Sequence, residues 1–391
     1  MSARGTRATG TARPEPRRTS QRDVIAEIRD FNQGRDPERL KVKYDAMTES
    51  PFVFLRATCH LFYRDLASES ALPYSPLSAV CGDLHFENFG AYRGDNRLSY
   101  FDINDFDEAV HAPCWWDVVR FLTSLLVGAR TLKLARADAV HLCSAFLATY
   151  GRELASGKPR WIERETARGM IRDVVAGLAD KTRAALLATR TEARDKGKAR
   201  CLRADGKFAL PASDADRDKV TLAIANFATG QRDASLFRVL DVARRVSGTG
   251  SLGLERYVIL VQGRGAPDRH LLLDLKYQPP SALAPYLASA SPAWSSEADR
   301  VLILQHRMQA ITPAFLNVIR IGERSYVLKE LMPRQDRLHL ELWDGELARL
   351  ERVAVSMGAV TAWAHLRGAG WRDTVPREDI VAFGTDTTWH G

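Results

Sequence analysis

Two phrases near the front of the chain do most to limit how it can fold. CGDLHFENFG (81–90) and YFDINDFDEA (100–109) together hold six carboxylates, two asparagines and a histidine. They sit among apolar runs of strand character, where a carboxylate is costly to desolvate unless a cation or hydrogen-bond donors meet it. The intervening Arg93-Gly94-Asp95-Asn96 is a turn signal, so the pair reads as a hairpin with acids at its strand ends. Asp and Asn are also ordinary turn residues, which accounts for one or two acids of DIND. It does not account for Asp83 and Asp102, each set just after an apolar strand. Any fold must supply partners for both.

At 391 residues the chain can bury a large core, as one large domain or two coupled lobes. With 45% hydrophobic and 27% charged residues it reads as soluble and globular. The longest apolar run, Val118 to Ala129, is too short and interrupted to span a bilayer. The opening MSARGTRATGTARPEPRRTS has no apolar segment of a secretory signal, so 1–20 reads as a disordered basic tail. Five scattered cysteines without a CxxC pair fit a reducing cytoplasm. The formal charge of +8 favours anionic partners such as nucleotides or phosphorylated substrates. Nucleic acid is disfavoured, because part of the excess lies in the tail and no recognition motif is present.

The texture along the chain is α+β with two β-containing cores embedded in helices, a two-lobed layout. Residues 21–154 carry the acidic hairpin between helical segments, and 155–240 read as a basic, mostly helical insertion with an exposed loop over 196–211. Residues 241–335 form a second β-rich block, and 336–391 supply a long helix from about Leu340 to Leu366 and a C-terminal tail. His60 and His365 lack partner spacing and read as packing or surface residues.

The second block carries GTGSLG, with Gly248, Gly250 and Gly253 as G-x-G-x-x-G and Ser251 inside it. A dinucleotide fingerprint needs a helix next, but RYVILVQG reads as a strand. A glycine-rich loop between antiparallel strands is instead the arrangement in which backbone approaches phosphates. That arrangement asks for a lysine on the following strand and a helical glutamate to pin it. HLLLDLKYQ delivers Lys276, and Glu297 opens the next helical segment. No Walker A, HExxH or G-x-S-x-G motif is present.

GDLHFEN resembles the phosphotransferase loop G-D-x-H-x-x-N of aminoglycoside phosphotransferases and, more distantly, of protein kinases. The resemblance implies that Asp83 orients or accepts the proton of an attacking hydroxyl, with His85 beside it. It also implies that Asn88 and a later acid, Asp102 or Asp105, hold Mg²⁺ against the phosphates of ATP. Asp117 in CWWDVVRF resembles the structural Asp of the helix after the metal loop. The run of phrases SPFVFLRATCHLFYRDLA, CGDLHFENFGAY, FDINDFDEA, WWDVVRFLTSL, DVARRVSGTGSLG, LDLKYQPPSALAPYL and QHRMQAITPAFL resembles the bacterial family known as domain of unknown function 2252, over roughly 35–370. The chain departs from the expected pattern of that family at Lys329-Glu330. Taken as a circle, the motif order matches a kinase-like fold with a hinge near Leu331-Met332-Pro333. The resemblance therefore implies a circularly permuted kinase-like fold, ATP and Mg²⁺, and a small hydroxyl-bearing acceptor. A nucleotide-binding pseudokinase-like sensor and nucleotidyl transfer from the same site stay open as alternatives.

Overall fold

The computed structural model describes residues 22–69, 72–194, 199–246, 248, 250–265, 268–287, 294–331, 338–372, 374–386 and 388. The tail read over 1–20 and the hinge residues Met332 and Pro333 lie outside them. Two compact units divide the chain, 1–33 and 34–391. The described part of the first contains α1 (Val24–Phe31), whose cap Asp23 accepts a hydrogen bond from the Ala26 N–H at 3.0 Å.

The second unit opens with α2 (Pro37–Glu49), α3 (Pro51–Ala57) and α4 (Cys59–Ala67). Pro37 and Pro51 sit in first turns, where the missing N–H has no partner to lose. Next come β1 (Leu77–Val80), a single 3₁₀ turn at Phe86–Asn88, β2 (Phe89–Arg93), β3 (Ser99–Ile103) and β4 (Val110–Pro113). β2 and β3 form the hairpin expected from the turn at 93–96, while β1 pairs antiparallel with β4. Helices α5 (Trp115–Gly128) and α6 (Arg136–Ser156) follow, then β5 (Ile162–Glu163), α7 (Gly169–Ala179) and α8 (Arg183–Arg190).

The described part of 196–211 departs from the expected exposed loop. It contains β7 (Ala199–Leu202), which forms a hairpin with the preceding β6 (Thr191–Arg194), and β8 (Ala209–Pro211). The buried side chains of Cys201, Leu202 and Phe208 hold this segment down, against the impression its lysines and glycines give. After α9 (Asp214–Thr229) come β9 (Val239–Arg245), β10 (Arg256–Val261), β11 (Leu271–Tyr277), α10 (Glu297–Met308), β12 (Asn317–Ile321) and β13 (Arg324–Glu330). The chain closes with α11 (Leu347–Gly368) and α12 (Arg377–Thr385). α11 starts later than expected because Asp344, in a left-handed conformation, ends a short 3₁₀ turn before it.

A six-stranded antiparallel sheet runs in the order β12-β13-β11-β10-β9-β8. Alternation along its strands separates two faces. Tyr257, Ile259, Leu273, Leu275 and Leu328 pack with Val220 and Ile224 of α9 on one. The other carries Arg245, Arg256, Asp274, Lys276 and Lys329, with Val258, Leu260 and Leu272 further along. The largest core lies among α5, α6, α11 and the β2–β3 hairpin, around Phe89, Phe121, Phe146, Tyr150, Met357 and Leu366. Gly358 permits a close α11–α6 approach, since a Cβ there would lie 2.6 Å from the Phe146 carbonyl oxygen. The architecture is mixed α+β. No helix among the described residues is long and apolar enough to cross a membrane.

Candidate functional site

The turn after β1 is held from three sides. Asp117, fully buried near the start of α5, accepts from the Cys81 N–H at 2.7 Å and the Gly82 N–H at 2.9 Å. Tyr63 donates to the Gly82 carbonyl. Gly82 itself has φ +84°, and a Cβ would sit 2.3 Å from the Glu108 carbonyl oxygen, so only glycine lets the two acidic loops meet. Of the two readings of His365, packing and surface, burial favours the first, and its ring also bonds Asp117 at 3.1 Å and Tyr150 at 2.8 Å. Burial opposes protonation of His365, but Cys114 and the Asp117 carboxylate outweigh it and raise the ring to about 10.

That scaffold presents Asp83 at a partly open position. Arg120, with no exposed side-chain surface, donates to Asp83 Oδ1 through Nε at 3.0 Å and Nη2 at 2.7 Å. His85 Nε2 lies 3.9 Å from the other Asp83 oxygen and accepts from Arg56 Nε at 3.2 Å. Arg56 also binds Glu87 at 2.5 Å. Asn88 acts as a brace: its Nδ2 donates to the Asp83 and Asp105 carbonyls, both at 3.1 Å, and its Oδ1 accepts from the Asp105 N–H at 2.8 Å.

The two acids that spacing leaves as rivals go to different surroundings. Asp102 is buried and accepts from the Ile103 N–H at 2.8 Å, the Ala310 N–H at 3.3 Å and Arg367 at 3.5 Å. Burial raises its carboxyl, and Arg367 with the backbone donors only partly opposes that. Asp105 is solvent-facing and 3.9 Å from Lys276 Nζ. The cations Lys276, Lys329 and Arg256 outweigh the desolvation by the protein around it and lower its carboxyl. Asp107, not singled out from the sequence, binds Lys276 directly and accepts from Gln278 at 3.1 Å. Burial, with Lys329 and Arg35 nearby, holds the Lys276 ammonium below its usual range.

Glu297 pairs with Arg300 at 2.6 Å, so Lys276 takes its partners from the acidic loop and not from α10. Arg300 is nonetheless tied to that loop, donating to the Ala109 carbonyl at 2.5 Å and the Asp107 carbonyl at 2.9 Å. The glycine-rich loop lies against α2 and α3. Gly250 O accepts from Arg35 at 2.8 Å and Lys43 at 3.1 Å, and Gly253 O accepts from the Asp36 N–H at 3.1 Å. The nearest neighbour of a Cβ on Gly250 would be the Arg56 carbonyl oxygen at 3.4 Å. Gly248 has φ +78°, and a Cβ on it would lie 2.7 Å from the Ser251 hydroxyl.

Asp83, His85, Asn88, Asp105, Lys276 and the glycine loop thus share one neighbourhood, while Asp102 and Glu297 bond elsewhere. Arg56, Asp107, Arg120 and Arg300 complete it. Arg120 stands one helical turn after Asp117, and Arg300 three residues after Glu297, but a helical arginine carries no local mark of burial. No group of three or more His, Cys, Asp or Glu forms a metal cluster among the described residues. Mg²⁺ needs only one or two carboxylates when phosphates and waters fill its octahedron. The neighbouring carboxylates of Asp105 and Asp107 fit that donor chemistry.

The fold and site define a mixed α+β protein with a cluster of charged side chains drawn from two distant sequence blocks. A family model described as an uncharacterized protein conserved in bacteria (DUF2252) matches residues 35–386, and the chain belongs to that family. Comparisons with curated proteins and with solved structures found no match.

Proposed function

We propose that the chain is an ATP- and Mg²⁺-dependent phosphotransferase of kinase-like architecture in circularly permuted order, acting on a small hydroxyl-bearing acceptor. The observation that carries the reading is the meeting of Lys276 with Asp107 and Asp105, the first pair being 169 residues apart in sequence. A strand lysine after a glycine hairpin, facing the acids that follow an Asp-x-x-x-x-Asn loop, is the constellation phosphoryl transfer requires. In this reading Asp105 and Asp107 would hold Mg²⁺, which would neutralise charge developing on the phosphates. Lys276 then exchanges its carboxylate for a phosphate oxygen. Asp83 orients the acceptor hydroxyl and takes its proton, while Arg120 fixes the carboxylate. Asn88 serves by holding the two loops in register.

Thermal unfolding with Mg-ATP, and with ATP plus chelator, tests this. Ligand at a hundredfold above Kd adds about 2.7 kcal/mol of stability, a rise of a few degrees. The rise is expected with magnesium, and Asp105→Asn and Lys276→Ala should each remove it. No magnesium-dependent rise in the wild type would sink the proposal. A rise without phosphate transfer to any hydroxyl acceptor would favour a nucleotide sensor.

A further inference from the structure

The hairpin that carries the glycine loop is flanked by two arginines aimed at the same side of the sheet. Arg245 ends β9 and Arg256 begins β10. Both reach the buried Asp274, Arg245 at 2.6 Å and Arg256 through two contacts of 2.8 and 2.5 Å. Lys329 stands directly across from Asp274 in the β11–β13 ladder. Its ammonium has no ion pair or hydrogen bond among the described residues. Three cations therefore share one carboxylate on a half-buried face, and Lys276 extends the row. The other acids that act on these cations among the described residues are Asp105 and Asp107. If they hold Mg²⁺, as proposed above, metal and carboxylates cancel, and Asp274 is the carboxylate left to these cations among the described residues. Excess charge of that kind, removed from water, calls for an anion.

The same face offers little to an aromatic ring. Its apolar residues Val258, Leu260 and Leu272 are already covered by Leu187, Leu202 and Phe208. Val327, across from Lys276 in the same ladder, is buried in the largest core, and the side chains left open around Lys276 are charged. Arg39, Arg245, Arg256 and residues 251–254 also line one small pocket behind the glycine loop.

We infer that this sheet face binds the phosphate chain of its ligand and does not select the base, so that the donor class is nucleoside polyphosphates of any base, and inorganic tripolyphosphate binds as well. The inference rests on the phosphotransferase reading for the metal's place, and on its own geometry for the rest.

Calorimetric binding of ATP, GTP, CTP and inorganic tripolyphosphate to the full chain, with magnesium and with chelator, tests it. All four should bind within about tenfold of one another, since no base contact discriminates them. Lys329→Met should weaken all of them by about tenfold or more, the loss of one charge-assisted contact, with the unliganded melting temperature as the check on folding. Arg39→Met, at the pocket rim, should weaken them in the same direction and serves if the first variant misfolds. Preference for ATP by about a hundredfold or more would overturn the inference while leaving the phosphotransferase intact. So would binding that both variants leave unchanged. Base-blind binding that is equal in chelator but lost in Lys329→Met would support the inference and remove the magnesium-dependent reading. Failure of all four ligands to bind would overturn both.

Discussion

Asp83 and Arg120 show how one carboxylate can serve structure and chemistry together. Arg120 is wholly enclosed and donates twice to Asp83 and once to the Leu55 carbonyl, at 2.7 Å. Asp83→Asn leaves that guanidinium without its countercharge, and the expected loss is on the order of 3 kcal/mol in urea unfolding. Adding Arg120→Met should recover a good part of the stability, but not any activity. Additive losses in the double variant would show that the two side chains are energetically independent. Gly82→Ala tests a different term. Its positive φ and the 2.3 Å approach to Glu108 predict a loss of at least about 1–3 kcal/mol, read by the same unfolding curve. A neutral Gly82→Ala would mean that the two acidic loops are not so closely packed.

Elements hold the site as much as residues do. α5 and α11 are joined under it by the Asp117–His365 pair. His365 is raised in the folded chain from 6.5 to about 10. A raised folded value means the stabilisation is complete below the unfolded value and is lost as pH climbs through the folded one. Stability should therefore fall between about pH 6.5 and 10 through this group. Lysines lowered by burial, Lys43 to about 7 among them, act in the opposite sense. The informative quantity is thus the difference between wild type and His365→Gln in melting temperature across that range. The difference should shrink with rising pH, and a constant difference would refute a protonated His365. Much of this element-level frame was legible in advance. The β2–β3 hairpin followed from its turn residues. The strands within 196–211 did not, because short strands paired only by tertiary context have no periodicity long enough to read. His365 was missed for a related reason: nothing local marks a histidine whose partner is 248 residues away.

At the scale of the whole molecule, the sequence reading grouped the right phrases but misjudged some pairings. Counting residues cannot tell which face of a strand an acid takes. So Asp102 and Asp105 looked equivalent, although one bonds Arg367 and the other approaches Lys276. Nor could it weigh Glu297 against Asp107 as the partner of Lys276. The helices that finish the core come from the end of the chain: α11 packs along α6, with the Gly358–Phe146 contact between them, and α12 adds Ile380 and Phe383 to the same core. During synthesis the acidic loops leave the ribosome long before these helices exist. The turn at Cys81 and Gly82 then lacks His365 beneath Asp117, and Phe146 and Tyr150 lack the cover that α11 gives them. A nascent chain stalled before Leu347 should be cut readily by protease within 115–156, and one released at full length should resist. Equal resistance would show that α5 and α6 find shelter without α11. Chains of this kind carry their apolar surface uncovered through most of translation, which makes early engagement by a chaperone, more than the final stability, the step that governs how much protein a cell recovers.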